Sequence, residues 1–370
     1  MTETASHTPV IGAWSTKRRN SILRTAQTGT PFRTPDRRRF GPLGTSWRTP
    51  RTRLDGQSST STPVSRTARV PEIQEVTQRT ELEENNIMEL TKKVWRVFRL
   101  TPLHNFCEKK SDLQHYSKSL SSHVAAESKR GTFIDTSEPG DATVGMFSGL
   151  DVGIEDHKAV LIEIKGKARN KEVEKVISQA VLFCTDLEYN PLKPSLQSHF
   201  TYFSNMLVRG PETLSQTVQN WMEVQFDCKV VLQTFTSHEL SFMAAMFTGF
   251  NEVHKPCELV YGIPTEVEGL SNIDYSTKAE DCLRLWNKIH MSESDSFTSE
   301  EAQMFMSGLE GHFYDIFHVK LNAMPLLTIG TSVAFVGRDG KLKIYSRTPE
   351  NVLKVCRHLT DLALDQLKTF

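Results

Sequence analysis

Hydrophobic positions along this chain change period several times, and each change marks an element. From residue 83, Ile87, Leu90, Val94, Val97 and Phe98 recur at helical spacing. That spacing predicts an amphipathic helix over 83–99, stopped by Pro102. Leu113, Tyr116, Leu120 and Val124 predict a second helix, with Ser111 as N-cap and Gly131 beyond its basic last turn. Residues 159–164 are a short β-branched and apolar run, read as a strand closed by a polar loop at 166–170. Over 173–184 the pattern divides. Val173, Val176, Ile177 and Ala180 fit a helix, whereas 180–184 fits a buried strand, and strand is assigned to that second part.

Pro211 opens a helix through Leu214, Val218, Trp221 and Met222. A strand over 229–235 leads to a helix whose apolar face is Leu240, Met243, Ala244 and Phe247, ended by Gly249. Helix 277–290 carries Leu283, Leu285, Trp286 and Ile289. Thr298 and Glu301 form a capping box for a helix expected to bury Met304, Phe305, Leu309 and Phe313. Residues 319–336 alternate as one or two strands, and Arg338-Asp339-Gly340-Lys341 reads as a hairpin turn. Asp-Gly predicts type I′, with positive φ at both central residues. Thr348-Pro349 starts a last helix through Leu353, Cys356, Leu359, Ala363 and Leu367. Helices interleaved with antiparallel strands, without a βαβ rhythm, give an α+β class of antiparallel sheets with packed helices.

Residues 1–82 lack such patterning and are expected to form a disordered arm, because little apolar surface offsets about 1–2 kcal/mol of ordering entropy per residue. The body then occupies 83–370, roughly an N-terminal half to 210 and a C-terminal half from 211. Charge sharpens the division. The chain is formally neutral, yet residues 1–70 hold 13 basic residues against three acidic ones, and the other 300 carry the compensating excess of acid. A basic arm suits a polyanion or an acidic partner, its own body included. Five Thr-Pro dipeptides begin at Thr8, Thr30, Thr34, Thr49 and Thr62. Phosphorylation there adds about −1.5 to −2 charges per site and progressively cancels the arm.

No apolar run reaches the roughly 18–20 residues of a membrane-spanning helix. The N-terminus lacks the order of a secretory signal, and its scattered prolines and glycines do not suit the amphipathic helix of a mitochondrial presequence. Six cysteines lie scattered in apolar stretches, as reduced core residues do. An intracellular, nuclear protein is expected. No phosphate-binding glycine loop, dinucleotide fingerprint or nucleophile elbow is present. His238-Glu239 lacks the second histidine of a zinc-protease helix, and is read as an early helical pair behind a Thr236 or Ser237 cap. His104 with Cys107 and His254 with Cys257 lack further ligands at metal spacing, so no metal or cofactor is assigned. Asp141, Asp151, Glu155 and Asp156 read as a solvated loop, with a magnesium site as the rival.

Two basic surfaces remain. Lys165, Lys167, Arg169 and Lys171 surround one strand end and its loop. Lys341, Lys343 and Tyr345 alternate with Leu342 and Ile344, which puts the lysines on one strand face. Such a face contacts phosphate, although edge strands also carry lysine merely to block aggregation.

Several words of the sequence resemble one family. Leu100-Thr101-Pro102-Leu103 with Phe106, the 113–124 helix and Ala126-Glu127 resemble the opening of the centromere protein L family. Phe226-Asp227-Cys228 and the helix from Leu240 to Met246 resemble its middle. Phe305-Met306, Gly311-His312-Phe313, Thr331-Ser332-Val333-Ala334, the run from Asp339 to Ile344 and that from Leu359 to Leu364 resemble its C-terminal part. The resemblance spans roughly 95–370. It implies a constitutive centromere-associated network subunit with curved antiparallel sheets, dimerising through its C-terminal region with centromere protein N. It further implies contacts with centromere protein C, the H-I-K-M subcomplex and centromeric nucleosomal DNA, at the kinetochore in the nucleus. Lys341 and Lys343 fall on the family's hairpin and become DNA-contact candidates, with Lys165, Lys167 and Arg169 beside them. Thr328, Thr331, Val333, Phe335, Leu342 and Ile344 are the partner-interface candidates, on the expectation that their strands form a sheet edge. The reading is a non-enzymatic scaffold; the rival is a metal-dependent nucleic-acid-processing enzyme using Asp151.

Overall fold

Three helices start on reciprocal capping boxes: Thr80 with Glu83, Thr236 with Glu239, and Thr298 with Glu301. Each pair satisfies two amides that a helix start leaves without partners. The computed structural model describes residues 67–69, 80–131, 138–167, 174–187, 189–264, 269–290 and 296–367. The five Thr-Pro sites of the arm, Thr8, Thr30, Thr34, Thr49 and Thr62, lie outside the described residues, as do Arg169 and Lys171. The unit described here falls within Pro63–Phe370.

Its helices are α1 (Glu81–Glu89), α2 (Lys110–Lys129), α3 (Glu212–Phe226), α4 (Ser237–Gly249), α5 (Ala279–Ile289), α6 (Ser299–Phe317) and α7 (Pro349–Leu367). The first eight strands are β1 (Thr67–Arg69), β2 (Trp95–Leu100), β3 (Leu103–His104), β4 (Glu138–Phe147), β5 (Ala159–Lys167), β6 (Glu174–Phe183), β7 (Phe200–Thr201) and β8 (Asn205–Arg209). They are followed by β9 (Val230–Leu232), β10 (Cys257–Gly262), β11 (Asn272–Thr277), β12 (Ser296–Thr298), β13 (Leu326–Gly330), β14 (Ala334–Gly337) and β15 (Lys341–Ile344).

One sheet dominates, in the order β11-β10-β13-β14-β15-β2-β8-β6-β5-β4, with β9 also on β2. Every one of these pairings is antiparallel, as the α+β expectation requires. Two small ribbons, β1-β12 and β3-β7, stand apart from it.

Helices cover the sheet unequally. Trp95, Val97, Val181, Leu207, Ile329 and Val336 form one continuous core with α1, α4, α5, α6 and α7 along the length of one face. On the other face, Phe98, Ile162, Leu182 and Val208 pack with Leu120 of α2 and Trp221 of α3. That second layer reaches only the strands from β2 to β4. Among the described residues no helix covers the same face of β15, β14, β13, β10 and β11.

The two sheet edges also differ. At β4, the Ala142 amide donates to Ser121 Oγ at 2.9 Å and the Val144 amide to Ser117 Oγ at 2.9 Å. The two serines are one helical turn apart and the two amides two strand residues apart. Rises of about 6 Å and about 6.8 Å nearly match, so one helix stitches down the strand edge.

Several expectations are corrected. The helix over 83–99 ends at Glu89, and Lys92 at φ +62° turns the chain into β2. Val97 and Phe98 are buried on opposite sheet faces, and a strand buried on both sides reads as helix as easily as strand. Likewise the whole of Glu174–Phe183 is strand, and β5 runs through Lys167 into the expected loop. The N-cap of α2 is Lys109, without a side-chain bond, not Ser111. Met304 is exposed, not buried. The hairpin turn is not type I′: only Gly340 has positive φ, at +79°, and its amide donates to Gly337 O at 3.0 Å. A three-residue loop closing on a left-handed glycine replaces the two-residue one.

Candidate functional site

β15 alternates strictly. Leu342 and Ile344 are buried under the helices, while Lys341 and Lys343, with Tyr345 just beyond the strand, point to the helix-free face. Cross-strand register extends this set. Phe335 lies opposite Lys343, Thr328 opposite Gly337 and Val260, and Arg96 opposite Lys341. Phe335 and Thr328 are half-buried and share the open face.

Its cations are not equivalent. Arg96 pairs with Glu212 in the first turn of α3, at the boundary where helical cover begins. Lys341 Nζ lies 2.6 Å from Asp339, whose carboxyl is raised by burial but held lower overall by that lysine. Lys255, from the loop before β10, places Nζ 3.0 Å from the Tyr345 ring centroid, and Lys343 Nζ lies 5.3 Å from the same ring. Two cations therefore lie close to one aromatic ring. Burial lowers the Lys255 pKa, and the charge of Lys343 lowers it further. Arg96 and Lys341 are held by carboxylates at contact distance, whereas Lys255 feels the repulsion of Lys343 and a smaller pull from Glu258.

Lys255 was missed in the sequence, where it stands alone in a loop. Only the β10–β13–β14–β15 pairing brings it to Tyr345.

The other basic group sits elsewhere. Lys165 is half-buried on β5, and register sets Lys167 between Glu138 and Glu174. β5 is four strands from β15, about 19 Å at the usual strand spacing, so the two lysine groups are not one site.

The interface candidates divide. Thr328 and Phe335 are on the open face. Val333, Leu342 and Ile344 are buried in the helix-covered core, and Thr331 is buried holding the β13–β14 turn through the Val333 and Ala334 amides. The edge expected of these strands is corrected: β13, β14 and β15 each have a neighbour on both sides.

Of the acidic residues weighed for magnesium, Asp151 and Asp156 have structural work. Asp156 accepts from the amides of Val152, Gly153, Asp186 and Leu187, which occupies both of its oxygens. Burial nevertheless raises its pKa. Asp151 accepts from the Gly149 amide, and Asp141 lies on β4, not in a loop. His254 pairs with Glu252 at 3.4 Å, and Cys257 is buried. The His104 ring lies 5.0 Å from that of Phe200 and tilted to it, and Cys107 is exposed. His238 follows the Thr236 cap, as expected. Among the described residues, no group of three or more His, Cys, Asp or Glu side chains is arranged to hold a metal.

Comparison with known proteins adds a family likeness. The family model described as Centromere protein L matches residues 89–364. Centromere protein L of Danio rerio is 30% identical over 319 residues, covering 83% of each chain. That of Rattus norvegicus is 30% identical over 321 residues, 84% of this chain and 89% of its own. That of Xenopus tropicalis is 29% identical over 287 residues, 75% and 80% respectively.

Proposed function

We propose that this chain, which belongs to the centromere protein L family and so is a centromere and kinetochore protein, is a non-enzymatic scaffold subunit. In this reading it pairs with centromere protein N in the nucleus, meets centromere protein C and the H-I-K-M subcomplex, and helps anchor the inner kinetochore to centromeric chromatin. The observation that carries its DNA contact is the helix-free face on which Lys343 and Lys255 flank Tyr345. A strand face suits a duplex backbone: lysines spaced along it meet successive phosphates without reading bases. Lys341 joins them once DNA competes with Asp339. Phosphorylation of the arm at Thr30, Thr34, Thr49 and Thr62 would weaken a second, sequence-independent attraction.

The test is the double charge reversal Lys341→Glu with Lys343→Glu. DNA affinity falls and its salt dependence flattens, because fewer counterions are released, while co-purification with centromere protein N persists. An unchanged salt slope would overturn the DNA assignment. Chelator-sensitive DNA cleavage by the purified chain, lost with Asp151→Asn, would end the non-catalytic reading.

A further inference from the structure

One three-residue word occurs three times in the chain: Arg33-Thr34-Pro35, Arg48-Thr49-Pro50 and Arg347-Thr348-Pro349. The first two belong to the arm, and the third joins β15 to α7. Threonine followed by proline is what a proline-directed kinase reads, because the ring fixes φ at about −65° and removes an amide.

Thr348 stands where a helix cap belongs. Thr80, Thr236 and Thr298 hold the same place before α1, α4 and α6, and each spends its hydroxyl in a capping box with a glutamate three residues on. Three residues beyond Thr348 is Asn351, whose side-chain nitrogen donates instead to Glu252 at 2.7 Å. The Thr348 amide and carbonyl both hold Ser346 Oγ, at 3.2 and 3.1 Å. Its hydroxyl makes no hydrogen bond among the described residues, and Thr348 and Arg347 are both exposed. The other Thr-Pro pair of the body differs: the Thr101 hydroxyl accepts from the Lys229 amide at 2.7 Å.

Thr348 also lies beside the basic face. Ser346 Oγ donates to Glu252 at 2.5 Å and the Arg347 amide to the same carboxylate at 3.3 Å, while Lys255 sits over Tyr345. Residues 345–347 thus run alongside 252–255. Three residues from Tyr345 to Thr348 span at most about 11 Å. That is close to the Debye length of about 8–10 Å at ordinary salt. A phosphate at Thr348, carrying about −1.5 to −2 charges, therefore acts on Lys255 and Lys343, and Glu252 adds to its field.

We propose that Thr348 is a phosphoryl-acceptor site for a proline-directed protein kinase, and that phosphate there weakens the DNA contact of the face around Tyr345. In the transfer, Thr348 Oγ bonds to the γ-phosphorus of ATP and the bond from that phosphorus to the β–γ bridging oxygen breaks. ADP leaves, and the hydroxyl proton passes to a carboxylate of the kinase. The finished ester breaks no hydrogen bond of the folded chain, and negative charge in the first turn of α7 suits the helix. Residues 345–348 lie outside helix and strand, so a kinase groove takes them in extended form once the first turn of α7 frays. The second half of the proposal rests on the DNA reading; the first stands without it.

The test uses the full chain with Thr8, Thr30, Thr34, Thr49 and Thr62 all changed to Ala, so that the arm sites take no label. With a cyclin-dependent kinase and ATP, mass spectrometry should map phosphate to Thr348, and Thr348→Ala should remove it. Duplex DNA affinity should then fall roughly tenfold and its salt slope by about two counterions, and phosphatase should restore both. Absence of phosphate at Thr348, in a reaction that labels the arm of the parent chain, overturns the acceptor site. Phosphate at Thr348 with DNA affinity unchanged overturns the switch, and the double reversal Lys341→Glu with Lys343→Glu separates the two levels. If that variant binds DNA more weakly, the DNA reading stands and only the switch falls; if it too changes nothing, the DNA reading itself falls.

Discussion

The ammonium of Lys255 lies over the ring of Tyr345 at 3.0 Å from its centroid, although 90 residues separate the two in the chain. The contact holds a lysine from a loop near a lysine from a strand, on the face proposed to meet phosphate. Lys255→Ala is expected to lower DNA affinity as much as Lys343→Ala does, and to reduce the salt slope by about one counterion. Titration at several salt concentrations checks this. A Lys255→Ala slope equal to the parent's would remove Lys255 from the surface.

Removing the stitch at the far sheet edge should do more than destabilise. Ser117→Ala with Ser121→Ala leaves two strand amides without their partners, at roughly 1–3 kcal/mol each if water does not replace them. It also bares a second ladder edge. Urea denaturation should report the first effect and light scattering the second, as new higher-order association. A variant that is destabilised but stays free of association would show that the apolar flank of α2, rather than its hydroxyls, protects the edge.

Gly340 tolerates no side chain. Its φ of +79° disfavours any other residue, and a Cβ would stand 2.4 Å from the carbonyl oxygen of Gln233. Gly340→Ala is expected to cost more than about 1 kcal/mol, since relief of chain entropy cannot offset the clash. A drop in the urea midpoint at unchanged slope is the signature.

His358 gives the fold a pH signature. It is buried against Phe242, and burial lowers its pKa to about 4 from an ordinary 6.5. The folded chain therefore holds it neutral where the unfolded chain binds a proton. Its contribution is present above pH 6.5 and is lost as pH falls toward 4, on the order of 3 kcal/mol in all. Because Glu310 and Asp156 carry carboxyls raised by burial, which act in the opposite sense, the test is a difference. Stability of the parent minus that of His358→Gln should decline from pH 7 to pH 4.5. A constant difference would mean the imidazole is protonated in the folded state.

What could be read in the sequence was local. The Thr298–Glu301 box and the Pro211 and Thr348-Pro349 starts mark α6, α3 and α7 because the helix-end chemistry lies within a few residues. The strand pattern of β15 was legible for a similar reason: Lys341, Lys343 and Tyr345 alternate against two buried residues within a single run. What failed was non-local. β4 carries Pro139, Gly140 and Asp141, which read as loop until β5 pairs with it. β11 is too polar on one face to announce itself. Val97 and Phe98 are buried from opposite sides, so their periodicity points nowhere. Lys255 joins the basic face only through strands contributed by residues 257–344, and no spacing rule reaches that far. The interface candidates failed in their edge argument because strand order, unlike strand existence, is not written in any one segment.

The serine stitch at β4 has an arithmetic consequence. A ladder closed at one end can lengthen only from the other. At Ala142 and Val144 the amides that a neighbouring strand would need are already taken, so this stretch of the edge cannot extend the ladder.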